Sequence, residues 1–216
     1  MADRRRSVAA WLLLRQMLAE RGLDADPLTI AENEFGKPDF DSALGVHFSL
    51  SHAGDRVMVA VSDAEVGCDV ERIVPVDDGM LNMALAETER ASLAVLSGAA
   101  RDRAFIRLWV RKESYAKAIG RGLDIGLSTF SALDMPPSSG WIWHDFDFGD
   151  GHIGCACALC SEKYGKTQRR GLSPSFGFHR VSQNFPKFVP EALESCLRCC
   201  LPLAPFAHRA AEAALE

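Results

Sequence analysis

The sequence has no apolar stretch near the ~18 residues that would mark a membrane-spanning helix; Trp11-Leu12-Leu13-Leu14 is short and closed by Arg15. It has no P-loop, so nothing in it cradles a nucleotide phosphate in the Walker manner. Strong charge of either sign is missing too. The net charge is −5 over 216 residues, which argues against a protein whose task is coating nucleic acid. A secretory leader is not evident. Arg4-Arg5-Arg6 followed by apolar residues imitates one, but Arg15, Glu20 and Arg21 interrupt the run and no small-residue cleavage pattern follows. Seven cysteines without a leader read as reduced thiols rather than a disulfide framework. These absences point to a soluble, cytoplasmic chain.

What is present is an apolar fraction of 48%, enough for one large domain or two small ones. Val8, Trp11, Leu12, Leu14, Met17 and Leu18 form a helical stripe over 7–21, with Ser7 as N-cap and Gly22 as stop. Gly36-Lys37-Pro38 is a turn. Three β-branched runs follow at 46–50, 56–62 and 66–71, joined by tight turns, and predict an antiparallel meander. Pro75 and Asp77-Asp78-Gly79 mark a break. Helices are predicted near 86–97, capped by Thr88, and over 101–119, with Phe105, Trp109, Lys112, Ala116 and Ile119 on one side. Strands are predicted near 128–134, 141–148 and 151–159. Residues 161–216 mix Gly, Ser, Pro, Arg and Cys without period until a helical stretch near 190–200 and an Ala-rich end near 206–216.

Two acidic segments carry the chemistry. In Val66-Gly67-Cys68-Asp69-Val70-Glu71 the carboxylates stand at i and i+2, on one face of a strand. Aspartate is disfavoured in a strand interior, and a bound cation is one compensation; an exposed edge strand is the other. In Trp109-Val110-Arg111-Lys112-Glu113-Ser114-Tyr115-Ala116-Lys117 a glutamate sits between two lysines, at helical spacing. Glu113 and Lys117 are also an ordinary i, i+4 surface pair, and Trp109 reads as packing against the sheet. Brought together, three carboxylates and two ammonium groups would hold a hard divalent cation against a phosphate ester. His52, after Phe48-Ser49-Leu50-Ser51, and Lys37, on its rigid turn, are weaker candidates for phosphate contacts.

The order GKP, F-S-L-S-H, G-C-D-V-E, W-x-x-K-E-S-x-x-K resembles the 4′-phosphopantetheinyl transferases of the surfactin-synthetase-activating type over roughly residues 4–159, and Gly120-Arg121-Gly122-Leu123 and Phe130-Ser131 continue the likeness. The resemblance implies an α+β fold of two similar subdomains related by a pseudo-twofold, each a helix on a small antiparallel sheet. They would span 1–74, truncated at its start relative to that family, and 75–160, with 161–216 as an atypical tail. It implies transfer of the 4′-phosphopantetheine arm of coenzyme A to a serine of an acyl, peptidyl or aryl carrier protein, with release of 3′,5′-ADP. Asp69, Glu71 and Glu113 would then coordinate Mg²⁺. Lys112 and Lys117 would neutralise phosphate, with Lys117 on the leaving group. Ser51, His52, Arg6 and Lys37 would contact coenzyme A, and Glu113 or a water on the metal would take the serine proton. A monomer is implied, with no nucleic-acid partner. Arg101, Arg103, Arg107 and Arg111 are expected to dock the acidic carrier. The alternative is a non-catalytic member that only binds coenzyme A or a carrier protein. Cys157-x-x-Cys160 with Cys196-x-x-Cys199 has zinc spacing, although Cys155 and Cys157 lie in a strand-like run where cysteine is an ordinary small core residue.

Overall fold

The computed structural model describes residues 2–24, 29–40, 44–134, 136–138 and 140–160 and the backbone of 197–202. The Ala-rich end, the stretch at 190–196 and the side chains of Cys196, Cys199 and Cys200 lie outside the described residues. Helix α1 (Ala2–Glu20) buries Ala10, Leu13, Leu14, Met17 and Leu18 on one stripe. It ends where Gly22 turns to φ +74° and the Leu23 amide donates to the Leu18 carbonyl, a left-handed cap that glycine adopts without strain. Ser7 lies inside this helix instead of capping it, because the helix starts five residues earlier, at Ala2. Strands β1 (Ile30–Glu32) and β2 (Pro38–Phe40) form a short hairpin. Its turn is set by Asn33, whose Oδ1 accepts from the amides of Phe35 and Lys37.

Strands β3 (His47–Ala53) and β4 (Arg56–Ser62) pair antiparallel, and helix α1 packs its stripe on Phe48, Val57, Val59 and Val61. The third run of the expected meander, β5 (Val66–Arg72), leaves that sheet. It pairs along its whole length with β7 (His152–Leu159), which pairs with β6 (Trp141–Asp147). The reason lies in β3. Its serines supply side-chain oxygens where a ladder would need carbonyls: Cys68 N donates to Ser49 Oγ and Val70 N to Ser51 Oγ, at 3.0 and 3.3 Å. The β3–β5 seam is thus bridged by hydroxyls, and the strands divide into two sheets, β3–β4–β8 and β5–β7–β6. Residues 197–200, the end of the helical stretch expected near 190–200, are instead part of strand β8 (Leu197–Pro202), which pairs with the second edge of β4.

Helix α2 (Asp78–Ala84) is capped by Asp77, whose Oδ1 accepts from Met80 N at 2.8 Å. Helix α3 (Glu87–Leu93) takes its N-terminal support from Glu89, which reaches back to Ala86 N, so Thr88 lies inside it. Helix α4 (Gly98–Ala118) lies across β5 and β7 and encloses a core around Phe105, Leu108, Val110 and Ile153. The strand expected at 128–134 is absent. The backbone there forms short 3-10 turns at Gly122–Ile125 and Leu127–Thr129, and its polar groups are taken by side chains: Leu127 O and Phe130 O accept from Lys112, and Ala132 N donates to Glu89.

Candidate active site

The approach of α4 to β5 decides the site. A methyl group on Gly67 would stand 2.1 Å from Ser114 O and 2.3 Å from Ala118 N. Only glycine lets the helix backbone rest directly on the strand. On that strand Asp69 and Glu71 share one face, and on the helix Trp109, Glu113 and Lys117 recur at four-residue intervals along one stripe. The two faces meet at a cavity of about 380 Å³, which Leu50, Ser51 and His52 of β3 and Ser7, Ala10 and Trp11 of α1 close.

Asp69 is buried. Its Oδ1 accepts from Ser51 Oγ at 2.8 Å and from Lys117 Nζ at 2.7 Å, and Lys117 also reaches Ser51 Oγ at 3.3 Å. Burial alone would lower the Lys117 pKa, but the Asp69 carboxylate outweighs it and the ammonium is held charged, above its ordinary value. Glu71 is pushed up to about 7 by burial and by the Asp69 charge, with Glu113 adding to it. Glu113 is raised for the same two reasons, burial first and Asp69 second. Three carboxylates therefore crowd one half-enclosed space with a single ammonium among them.

Asp69 Oδ2 is buried and has no hydrogen-bond partner among the described residues. A buried carboxylate oxygen left unsatisfied is costly, and a cation would satisfy it. The donors facing the cavity are carboxylate oxygens, the set a hard divalent ion such as Mg²⁺ takes. Among the described residues no three carboxylate, imidazole or thiol groups already stand close enough to enclose an ion. The fit is one of donor chemistry and of the orphaned oxygen.

Residues 65–153, which hold β5, α4 and most of β7, match the family model of the 4′-phosphopantetheinyl transferase superfamily. This segment of the chain is similar to the proteins of that superfamily. The 4′-phosphopantetheinyl transferase psf-1 of Bacillus pumilus is 34% identical over 131 residues, 60% of this chain and 56% of that protein. The transferase gsp of Aneurinibacillus migulanus is 35% identical over 131 residues, 59% and 54%. The transferase AcpT of Salmonella typhi is 36% identical over 115 residues, 52% and 59%. The chain spans little more than half the length of the curated relatives it matches.

Three residues expected at the site are not among those lining the cavity. Lys112 is fully buried on the other side of α4, where it pairs with Glu89 at 2.6 Å, donates to Leu127 O and Phe130 O, and lies 4.6 Å from the Phe130 ring centroid. One residue away from Glu113 is a turn of about 100° around the helix, so the two side chains leave on different faces. Lys37 donates to Val66 O and to Ala118 O, fastening the β1–β2 turn to the carbonyl end of α4, where a cation is favoured. Arg6 donates to Gly54 O in the β3–β4 turn. Three arginines of α4 face acids of β6, with Arg111 and Arg107 meeting Asp145 and Arg103 meeting Asp147, while Arg101 meets Asp78 and donates to Val76 O. These pairs tie α4 to its neighbours, while Arg103 and Arg107 stay partly exposed. Cys155 and Cys157 are buried core residues of β7 whose thiols burial pushes up, as inert cysteines behave.

Sequence reasoning missed the α1 wall and Glu89. Ser7 and Ala10 carry no chemical signal, and Trp11 reads as core. Glu89 accepts from Ala86 N, Ala132 N and Lys112; its only sequence cue is a glutamate three residues into a short helix, the position of a capping box. Trp109, expected to pack, stacks with Phe105 and also lines the cavity.

Proposed function

We propose that this protein transfers the 4′-phosphopantetheine arm of coenzyme A to a serine of an acyl or peptidyl carrier protein and releases 3′,5′-ADP, as a Mg²⁺-dependent holo-carrier-protein synthase. The observation that carries the reading is the convergence of Asp69, Glu71, Glu113 and Lys117 on one cavity, with Asp69 Oδ2 unsatisfied. The names of the relatives support it. We take the enzyme to be a cytoplasmic monomer without a nucleic-acid partner, built from two similar halves, 1–74 and 75–160, with 161–216 beyond them.

Asp69, Glu71 and Glu113 would hold the Mg²⁺. When bound, the ion would neutralise charge on the coenzyme A pyrophosphate. The remaining work falls to the chain's own side chains. Attack by a serine hydroxyl on a pyrophosphate phosphorus needs charge neutralisation and in-line positioning more than covalent catalysis. Lys117, kept protonated by Asp69, faces the phosphates and supports the negative charge that develops on the departing 3′,5′-ADP. Ser51 orients both Asp69 and Lys117. His52 stands on the same wall as Ser51, placed for a phosphate oxygen. Burial, and then the Asp69 charge, raise the Glu113 pKa, which makes its carboxylate a stronger base toward the serine proton. The serine oxygen forms the new bond to phosphorus, the bond to the ADP oxygen breaks, and the proton rests on Glu113.

Intact-mass spectrometry of an apo-carrier protein incubated with this chain, coenzyme A and Mg²⁺ tests the reading. The expected result is a gain of one phosphopantetheine group that disappears with Glu113→Ala. Coenzyme A binding without mass gain on fatty-acid, polyketide and peptide carriers would establish the non-catalytic alternative.

A further inference from the structure

Strands β3 and β4 are joined by a two-residue turn, Gly54-Asp55, between the paired residues Ala53 and Arg56. Gly54 stands at φ +58°, the left-handed region that the first position of such a turn uses. The turn begins two residues beyond His52, so its placement governs where the end of β3 delivers that imidazole.

Two side chains from outside the β3–β4 hairpin hold the turn. From α1, Arg6 donates to Gly54 O at 2.9 Å. From the start of β7, in the other sheet, His152 lies against it. A methyl on Gly54 would stand 2.8 Å from His152 Nε2, so the turn rests on the imidazole as closely as glycine permits.

His152 is 5% exposed. Its Nδ1 lies 3.1 Å from Asp150 Oδ1, which also accepts from His152 N at 3.2 Å. A carboxylate only accepts, so Nδ1 carries the hydrogen. Asp150 is bound in turn by Arg56, the residue that leaves the turn. The ring is thus fixed in both place and tautomer. Nε2 is buried and has no hydrogen-bond partner among the described residues; Asp55 Oδ1, at 3.9 Å, is too far to serve. A buried nitrogen without a partner is costly. Hydrogen bonding gives no reason for this one to point where it does, and the contact with Gly54 does.

We infer that His152 is a positioning residue, which acts through Gly54 to set the end of β3 and, with it, His52 on the cavity wall. The ligand that His52 meets rests on the proposed function; the coupling from His152 to His52 is a matter of geometry and stands apart from it.

Calorimetric titration of coenzyme A in the presence of Mg²⁺, on the wild type, His152→Ala, His52→Ala and the double variant, tests the inference, with the His52 imidazole signals followed by NMR. The expected result is that His152→Ala weakens coenzyme A binding about tenfold and displaces the His52 signals. In the double variant it should add nothing to the loss from His52→Ala, because residues that act as one unit are not additive. Gly54→Ala drives a methyl into the imidazole from the other side; it is expected to do the same, and it serves where His152→Ala does not fold. Unchanged affinity in a folded His152→Ala would overturn the inference. So would a loss that adds in full to that of His52→Ala, which would assign His152 to general stability. A wild type that binds no coenzyme A would refute the proposed function instead. Displaced His52 signals in His152→Ala would then still support the coupling, and undisplaced signals would overturn it.

Discussion

Lysines 112 and 117 are five residues apart and occupy opposite situations, and the difference follows from what each meets. Lys117 shares Asp69 with Ser51 at the cavity, whereas Lys112 is sealed against Glu89 and two carbonyls. Removing one member of a buried ion pair leaves an uncompensated charge, at a cost of about 3–5 kcal/mol, while replacing both with apolar groups is often neutral. Lys112→Met should therefore lower the melting temperature strongly, and Lys112→Met with Glu89→Leu should recover much of the loss. A Lys112→Met protein of unchanged stability but weakened coenzyme A binding would show instead that this lysine serves the nucleotide. From sequence both lysines are phosphate candidates, although the stripe Phe105, Trp109, Lys112, Ala116 and Ile119 already sets Lys112 on a packed side. What brings Lys117 to the cavity is the rotation of α4 on β5, a tertiary quantity no local pattern encodes.

At the scale of elements, the seating of α4 on β5 through Gly67 sets how close Glu113 and Lys117 come to Asp69 and Glu71. Gly67→Ala places a methyl where helix backbone stands, and displacement by about an ångström at such a site can reduce turnover about a hundredfold. The expected outcome is a folded protein with that loss in the carrier-loading assay; wild-type turnover would refute the role of the contact. A second element-level prediction concerns Asp39 and His47, which clasp β2 to β3 at 2.9 Å. The hydrogen bond to Asp39 raises the His47 pKa above its ordinary 6.5. The stabilisation is full below that ordinary value and is lost as pH rises through the raised one. Asp39, opposed by burial but held low by its bond to His47, contributes above its ordinary 3.8 and loses that as pH falls through its depressed value. Melting curves should show stability falling as pH rises from 6.5, and His47→Gln should flatten that fall. Most elements were legible because their periods are clean: α4, β3 to β7 and the i, i+2 carboxylates follow from spacing alone. The β5 sheet assignment was not, because hydroxyl bridges from Ser49 and Ser51 take the place of a ladder. Nor was the loop at 127–132, whose backbone is satisfied by side chains far away in sequence.

Across the whole molecule, the cavity lies where a helix from the start of the chain, two strands from different sheets and the long helix α4 meet. No one segment holds a complete site. The motif residues of β5 and α4 supply charge, and α1 and β3 supply walls that the motifs do not announce. Among the described residues no helix is long and apolar enough to cross a membrane. In the proposed function the carboxylates of β5 and α4 would share a cation that grips the coenzyme A pyrophosphate. Calorimetric titration of coenzyme A with and without Mg²⁺, on the wild type and on Asp69→Asn, tests this most directly. The expected result is that Mg²⁺ tightens coenzyme A binding to the wild type and has little effect on the variant. Equal affinity with and without Mg²⁺ in the wild type, or equal tightening in both proteins, would contradict it.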